Sequence, residues 1–470
     1  MSRGSKCRPQ RKRGITAFGS AFCLTRVRLV FRFQENRLDR KATVSLFVKS
    51  SLVLVASAAA LLAQPPPATS GEGKIREETI RAARERNALA VQYLNQGSYA
   101  EAEPLLTQAV ELYQSTLGGD SDMELANALN NLGVSYAGLG RFPEAEAVHL
   151  RAASIVEKAL GSNHPEYAVN LHNLGVAYLE LGRIQEAERL LERSLAIGEK
   201  VLGKTHPSLL LVLTNLANLH RFCARHGKAL ELLNRALRIA ENNLSPKDPD
   251  VAKVLNARGV LHCSQKRYRE AESDWTRALE VLETSGRGQS QFAGVVLSNL
   301  GELNRVLRHD NEAERQLKQA VSVLEQSAGP ASRILVAPLS NLGRLYTDRG
   351  NYAAAEAPIQ RSLRITEQTV GCEHPIYAGV LCVLAGLRQA QKSWPEAERL
   401  YREALAIAEK VYGPKHPTLA GLLDQYRGCL VVMKRKKEAR IVAARIREIE
   451  TLAGNGSARH TVDVSELVRR

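Results

Sequence analysis

A fixed repeat constrains this chain more than any other feature. An alanine that follows a short turn occurs nine times, with a first step of 43 residues and every later step of 42. The alanines are Ala102, Ala145, Ala187, Ala229, Ala271, Ala313, Ala355, Ala397 and Ala439. A period of this size indicates a repeat array in which each unit stacks on its neighbours. The 470 residues therefore predict one array rather than about three globular domains.

Each unit has the pattern of two amphipathic helices. In the unit from Pro165 to Gly203, apolar residues recur at three- and four-residue spacing before Gly182 and again after Ile184. Pro165 suits the first turn of a helix, where its missing N–H is not needed, and Gly182 suits the positive φ that follows a helix end. A single hairpin of 42 residues buries too little apolar surface to be stable alone. The pattern therefore predicts an all-α fold with a core shared between units.

Small residues recur inside the predicted hairpin. We expect the two helix backbones to approach closely at Gly175 and Ala187, since a larger side chain would force them apart. Most other units have glycine or alanine at the position of Gly175. Arg427 takes that position in the last unit, which predicts a degenerate capping repeat.

The residues of this unit resemble those of a tetratricopeptide repeat. The matching positions are Leu174, Gly175, Tyr178, Ala187 and Ser194. The 42-residue length and the His-Pro pairs at unit boundaries resemble the kinesin light chain type in particular. These pairs are His164-Pro165, His206-Pro207, His374-Pro375 and His416-Pro417, with Asp248-Pro249 as a variant. The resemblance covers residues 75–450 and implies a right-handed superhelical solenoid of about nine helix-turn-helix repeats.

A short apolar run near the N terminus predicts a targeting segment. In residues 44–63, Lys49 precedes a run of about fourteen apolar or small residues, as in a secretory signal peptide. This run is shorter than the ~20 apolar residues of a membrane span. We expect translation to start near Val44 and the chain to be exported to the periplasm or secreted. Residues 1–43 are then a misassigned start or an unstructured basic segment. An uncleaved membrane anchor and a cytoplasmic location are the alternatives.

Two flanking stretches are predicted to lie outside the repeats. Residues 64–74 are rich in proline and glycine, which predicts a linker, and residues 451–470 depart from the period, which predicts a flexible tail.

Charge and cysteine content exclude several classes of partner and cofactor. Residues 1–63 carry +11 of the formal +16, and acids and bases alternate along the rest of the chain. This distribution is typical of a solvated surface, so nucleic-acid binding is not predicted. The seven cysteines include no CxxC pair, which predicts neither zinc nor a disulfide framework. No cofactor is predicted, and most cysteines are expected to be small buried side chains.

No group of residues predicts catalysis. The His-Pro histidines occur once per unit, too far apart to share a metal ion, so we expect structural roles. In Glu-Ala-Glu pairs such as Glu186 and Glu188, the side chains point to different sides of a helix, which excludes an acid–base pair. Their charge is instead favourable at a helix N terminus. We predict that the protein is not an enzyme, because repeats occupy almost the whole chain beyond residue 74.

One repeated residue is not explained by the packing of the core. Asparagine occupies one position of the first helix in five units, and at about 100° per residue this position lies opposite the core face. These residues are Asn131, Asn173, Asn215, Asn299 and Asn341. Because asparagine is not a favoured helix residue, we predict a binding role for this series. A solvated polar face is the alternative.

The family resemblance implies that the first helices line a concave groove. The asparagines would offer amide donors and acceptors there to the backbone of an extended peptide. Basic residues at neighbouring positions slightly favour an acidic peptide, and they are Lys253, Arg221, Arg305 and Arg344. The predicted function is a non-catalytic scaffold that binds a peptide or protein segment. The alternative is an assembly component that acts through its convex surface or its ends, and a membrane is a partner only if residues 44–63 remain uncleaved.

Overall fold

The computed structural model describes residues 71–96, 98–117 and 123–454. Over these residues the protein is an all-α helical repeat solenoid without strands. Its eighteen α-helices alternate between the first and the second helix of nine repeats. The predicted fold class is therefore confirmed.

Helix lengths are nearly constant along the chain. The first and second helices of the nine repeats are α1 Gly71–Gln96 and α2 Tyr99–Leu117, α3 Met123–Leu139 and α4 Phe142–Leu160, α5 Pro165–Glu180 and α6 Ile184–Leu202, α7 Leu210–Phe222 and α8 His226–Asn243, α9 Pro249–Ser264 and α10 Tyr268–Thr284, α11 Gln291–Val306 and α12 Asp310–Ala328, α13 Val336–Asp348 and α14 Tyr352–Val370, α15 Pro375–Ala390 and α16 Trp394–Tyr412, and α17 Leu419–Val432 and α18 Lys436–Gly454. Short 3-10 turns at Pro207–Leu209 and Arg333–Leu335 precede α7 and α13.

The chain forms two compact units. The N-terminal unit contains the described residues up to Leu219 together with Glu231–Leu244, and the C-terminal unit contains His220–Leu230 together with the described residues from Ser245 onward. In the N-terminal unit, α3 contacts both α1 and α5. In the C-terminal unit, α11, α13, α15 and α17 contact one another in the same order. In each unit these first helices therefore lie side by side.

A glycine of the first helix provides space for a side chain of the second. A Cβ on Gly175 would lie 3.0 Å from Cγ of Leu191 and 3.4 Å from the carbonyl oxygen of Ala187. Trp275 packs against Gly259 in the same way, again sixteen residues later in the chain. The close approach predicted at Gly175 is confirmed.

In successive repeats, the turn between the first and the second helix contains a residue with a positive φ at the same position. Gly182 has φ 73°, as predicted. Five repeats place a residue with a Cβ there, and their φ values lie between 54° and 63°. These residues are Ala224, Lys266, Arg308, Lys392 and Lys434. Because the left-handed conformation costs an L-residue about 1–2 kcal/mol, these turns are less favourable than the glycine turns.

The His-Pro histidines cap the first helices. His164 Nδ1 accepts a hydrogen bond from the backbone N–H of Glu166 at 3.2 Å, and His374 Nδ1 accepts one from Ile376 at 3.0 Å. The same bond is made by His206, His416 and, through its carboxylate, Asp248. An acceptor at this position satisfies a backbone donor that the helix leaves open. The structural role predicted for these residues is confirmed.

Turn arginines connect successive repeats. Arg183 pairs with Glu186 of its own repeat at 3.2 Å and with Glu146 of the preceding repeat at 2.5 Å. Its guanidinium also lies 4.0 Å from the ring centroid of Tyr178. The same bridge is made by Arg141 and Arg435. Glu-Ala-Glu pairs therefore supply carboxylates to arginines in two repeats, beyond the helix N-terminal role that we predicted.

The helices extend past the predicted limits of the array. The first helix α1 begins at Gly71, within the predicted linker 64–74, and α18 ends at Gly454, within the predicted tail 451–470. Residues 1–43 and 44–63 lie outside the described residues. The targeting segment therefore stays a prediction. Within the described ranges, no helix has the length and apolar character needed to cross a membrane.

Candidate binding face

The five predicted asparagines lie on the first helices α3, α5, α7, α11 and α13. Asn131 and Asn341 are buried, with exposed fractions of 3% and 9%. Asn173, Asn215 and Asn299 are half-buried. The expectation that this position faces away from the packed interior is therefore wrong, because the neighbouring first helix covers it.

Hydrogen bonds between side chains join these helices, and we call each such bond an asparagine rung. Asn173 Nδ2 donates to Asn130 Oδ1 at 2.9 Å, and Asn299 Nδ2 donates to Asn256 Oδ1 at 2.9 Å. A further rung joins Asn131 Nδ2 to Asn87 Oδ1 at 3.0 Å. In the first two rungs the acceptor lies 43 residues earlier, immediately before the equivalent asparagine position. Asparagine therefore recurs for a structural reason that the sequence analysis missed.

A buried histidine takes the acceptor position in the fourth rung. Asn215 Nδ2 lies 2.7 Å from His172 Nε2, and His172 Nδ1 lies 3.3 Å from Asn173 Oδ1. A neutral imidazole with its proton on Nδ1 satisfies both contacts. Burial lowers the pKa of His172 to about 4, and burial together with the charge of His172 lowers the pKa of His149 to about 3. Both rings are therefore neutral at pH 7.

The rung acceptors were not predicted, although the sequence carries a signal for them. The residue immediately before the asparagine position is polar in six successive repeats. These residues are Asn130, His172, Thr214, Asn256, Ser298 and Ser340. Two adjacent polar residues at one register of a buried helix predict contacts between repeats, because buried polar groups need partners.

Three of the four predicted basic residues contact a side chain of their own helix, and Lys253 and Arg221 are two of them. Lys253 Nζ lies 2.5 Å from Asp250 Oδ1 in the same helix. The guanidinium of Arg221 lies 4.5 Å from the ring centroid of Phe222. The charge of Lys253 is therefore compensated within α9.

Arg305 is the centre of an ion-pair network in the C-terminal unit. Its Nε and Nη2 donate to the two carboxylate oxygens of Glu302, each at 2.8 Å. Its Nη1 donates to Asp348, which belongs to the next first helix. The Glu302 residue is only 3% exposed, so Arg305 neutralises a buried carboxylate. Arg305 therefore joins α11 to α13.

Arg344 differs from Arg305 in having no such partner. It lies on α13, 42 residues after Glu302, and is half-buried. Among the described residues it makes no hydrogen bond or ion pair. Burial lowers the pKa of its guanidinium, and the charge of Arg305 lowers it further, while the charge of Glu302 opposes this effect. In the described chain, Arg344 therefore forms no direct pair with an acidic side chain, and the nearby charge of Glu302 offsets its own charge only in part.

The described residues offer no set of metal ligands. No group of three or more His, Cys, Asp or Glu side chains in these ranges could hold a metal ion. Of the five cysteines between residues 71 and 454, Cys223, Cys263, Cys382 and Cys429 are buried and Cys372 is half-buried. The prediction that most cysteines are buried side chains is confirmed for these five.

Comparison with protein families identifies the repeat. One tetratricopeptide repeat model matches residues 124–200, 179–242 and 250–326. A second tetratricopeptide repeat model matches residues 86–122, 339–376 and 378–418. No curated protein matches the chain significantly.

Several solved structures are similar to this chain. A candidate kinesin light chain from Podosopora anserina, with nearly identical TPR-like repeats, is 27% identical over 45% of this chain and 98% of its own, with a TM-score of 0.39. A Rap protein in complex with the competence and sporulation factor is 13% identical over 81% of this chain and 99% of its own, with a TM-score of 0.53. The aspartyl phosphate phosphatase F of Bacillus subtilis is 13% identical over 85% of this chain and 100% of its own, with a TM-score of 0.50. At such identities the last two show a shared fold alone.

Proposed function

The chain belongs to the tetratricopeptide repeat family, with repeats that resemble the kinesin light chain type, and from this premise we propose that it is a non-catalytic scaffold for protein–protein interaction. We infer that an extended segment of the partner binds along the first helices. The observation that carries this proposal is the arrangement of Asn173 and Asn215, whose half-buried amides occupy the same position in successive repeats of the N-terminal unit.

The rungs support binding because they orient these amides in advance. A primary amide has two N–H donors and an oxygen with two lone pairs, so a single rung leaves part of its hydrogen-bonding capacity unused. Asn173 uses one donor for Asn130. An ordered side chain loses less conformational entropy when it binds a ligand than a mobile one. An extended backbone presents both N–H and C=O groups, which one oriented amide can engage.

A peptide display library tests this proposal with the full chain. We expect the library to yield binders, and we expect Asn173→Ala together with Asn215→Ala to weaken them by roughly tenfold or more. Asn131→Ala is the matched control, because Asn131 forms a rung but is only 3% exposed. It should lower stability and leave peptide affinity unchanged. A folded double variant that binds the selected peptides as tightly as the wild type would exclude this role of the amides.

Exposed apolar side chains in the last repeat favour a second candidate, assembly through the end of the array. Four of the eight large apolar residues that are exposed in the described chain lie there. They are Val431, Val432, Ile441 and Leu452. Sedimentation of the wild type and of Val432→Ser with Ile441→Ser tests this candidate, which requires a self-associated wild type and a monomeric variant.

Export through residues 44–63 is also proposed, on the basis of the sequence alone. Mass spectrometry of the mature protein provides the test. A mature N terminus shortly after residue 63 is expected, and a peptide from residues 2–43 would exclude a start near Val44.

A further inference from the structure

We propose that the turn between α17 and α18 docks on the surface of an anionic lipid bilayer. This turn lies in the last repeat, where α17 ends at Val432 and α18 begins at Lys436. Three observations support the proposal: exposed apolar side chains at the turn, unpaired cations beside them, and the residue types that make up both groups.

The turn presents a cluster of exposed apolar side chains. Ile441 is 69% exposed, more than any other large apolar residue of the described chain, and Val431 and Val432 are 52% and 51% exposed. Single exposed apolar residues are common on protein surfaces, whereas several around one turn form a patch. Earlier repeats carry arginine at the position of Ile441, for example Arg189, Arg315 and Arg399. The fold therefore does not require an isoleucine there.

The turn brings basic side chains next to these apolar ones. The backbone N–H of Lys434 donates to the carbonyl oxygen of Val431 at 3.0 Å, which closes the turn. On α18, Ile441 follows Arg440 directly and lies one helical turn after Lys437. Apolar and basic side chains thus share one end of the last repeat.

The cations at this turn outnumber the acids. Four exposed cations form no hydrogen bond or ion pair through their side chains among the described residues, and they are Lys434, Lys436, Lys437 and Arg440. The one acid between residues 431 and 441 is Glu438, and both of its oxygens accept hydrogen bonds from Arg435. The nearby Glu398 pairs with Arg435 and Arg402. Two acids therefore balance two arginines, and the four exposed cations remain in excess.

An anionic bilayer matches both groups of side chains at once. Its phosphates attract lysine and arginine near the surface, and its interface accepts apolar side chains. Stable attachment at a membrane surface generally requires an apolar and an electrostatic contribution together. Each unpaired cation is expected to raise the affinity about fivefold.

Other partners fit the turn less well. Three of the four unpaired cations are lysines, and lysine is depleted in protein–protein interfaces. A single-stranded nucleic acid would use the cations, but residues 431–441 contain no aromatic side chain on which its bases could stack. A second copy of the chain in a symmetric contact would bring the same cations together, and like charges repel.

The test places a tryptophan at the turn of the full chain. If residues 44–63 hold the chain at a membrane, only a local readout reports on the turn. Ile441→Trp is therefore mixed with vesicles of phosphatidylglycerol and phosphatidylcholine whose acyl chains carry bromine, which quenches tryptophan on contact. Arg399→Trp is the matched control, because Arg399 is exposed at the equivalent position of α16. The wild type gives the background from Trp275 and Trp394.

We expect quenching that depends on position and on charge. Emission of Ile441→Trp should be quenched roughly twofold or more, whereas Arg399→Trp should stay near the wild-type background. Adding Lys436→Gln and Lys437→Gln to Ile441→Trp should raise the lipid concentration at half-quenching by roughly tenfold or more. Vesicles of phosphatidylcholine alone should quench Ile441→Trp weakly.

Four results would overturn the docking of this turn on a bilayer. They are equal quenching of the two tryptophans, quenching that is unchanged by the lysine substitutions or by the loss of anionic lipid, an emission that responds to single-stranded DNA and not to vesicles, and an emission that shifts with protein concentration without lipid. The last result would show that a second copy covers the turn. Peptide binding through Asn173 and Asn215 does not involve this turn, so failure here leaves the proposed scaffold function intact.

Discussion

Asn173 of one repeat donates a hydrogen bond to the side-chain oxygen of Asn130 in the repeat before it, at 2.9 Å. The bond joins two first helices that are separated by 43 residues in the chain. Because Asn173 is half-buried, the amide that holds the repeats together also reaches the surface on which we place the partner. Stability and binding therefore depend on the same side chains, and the two effects must be separated by experiment.

The rungs are expected to contribute measurably to stability. Asn131→Ala leaves the half-buried amide of Asn87 without its donor, and we expect a loss of about 1–2 kcal/mol in the free energy of unfolding. Urea denaturation followed by circular dichroism measures this loss. Asn218→Ala on α7 removes an asparagine that forms no rung, and it should change stability by less than about 0.5 kcal/mol. Equal losses in the two variants would contradict a structural role for the rungs.

The glycine contacts predict opposite effects at two positions. Gly175→Leu should destabilise the fold by about 1–3 kcal/mol, because Leu191 and the Ala187 carbonyl already fill the space that a side chain would need. Gly428→Ala should stabilise by about 0.5–1 kcal/mol, since a Cβ there meets no atom within 4 Å and alanine favours a helix. Thermal melting of both variants tests the pair. A lower melting temperature for Gly428→Ala would show that its helix is packed more tightly than the structure indicates.

The turns with positive φ predict a stabilising substitution. Lys392 has φ 63°, and Lys392→Gly should stabilise by about 1 kcal/mol because glycine adopts this conformation without a steric penalty. The reverse change, Gly350→Lys at the equivalent turn with φ 74°, should destabilise by a similar amount. Differential scanning calorimetry gives both values. The prediction is wrong if both substitutions shift the melting temperature in the same direction.

Acid should weaken the N-terminal unit through its buried histidines. Burial lowers the pKa of His172 from 6.5 to about 4, so the unfolded chain binds a proton more tightly than the folded chain. The part of the folding free energy that depends on a neutral His172 is therefore fully present above about pH 6.5 and is lost as the pH falls towards 4. This part amounts to about 2–3 kcal/mol. His172→Asn keeps a rung acceptor, as Asn130 does, but does not titrate.

The comparison of wild type and His172→Asn tests this account. Urea unfolding at about pH 7 and about pH 4.5 should show a smaller loss on acidification for the variant, by about 2 kcal/mol. His149 titrates in the same direction with a pKa of about 3, so part of the acid sensitivity should remain in the variant. Identical losses in the two proteins would contradict the assignment.

Arg305 and Arg344, both in the C-terminal unit, should differ in their effect on stability. Arg305→Gln leaves the buried Glu302 carboxylate without its cation, and we expect a loss of about 3 kcal/mol. Arg344→Gln removes a half-buried charge that makes no hydrogen bond or ion pair in the described chain, so the free energy of unfolding should stay the same or increase. Chemical denaturation of both variants provides the measurement. A large loss for Arg344→Gln would contradict this expectation and would reveal a stabilising contact.

The sequence by itself determined the repeat and its local chemistry. The 42-residue period, the glycine at Gly175, the turn at Gly182 and the His-Pro boundary at His164 each depend on a few neighbouring residues. Nine copies of one pattern confirm one another, and the preferences of helices, turns and caps act over short distances along the chain. These features were predicted correctly for that reason.

Only the tertiary structure decided the environment of Asn173 and Arg344. A helical projection relates a side chain to the partner helix within one hairpin, but a first helix in an array also packs against the first helices of adjacent repeats. Asn173 faces such a helix, and its acceptor lies 43 residues away. Arg305 and Arg344 look alike in the sequence, yet Arg305 alone reaches both Glu302 and Asp348. Contacts between repeats depend on the rotation and offset of whole helices, which the period of the sequence does not specify.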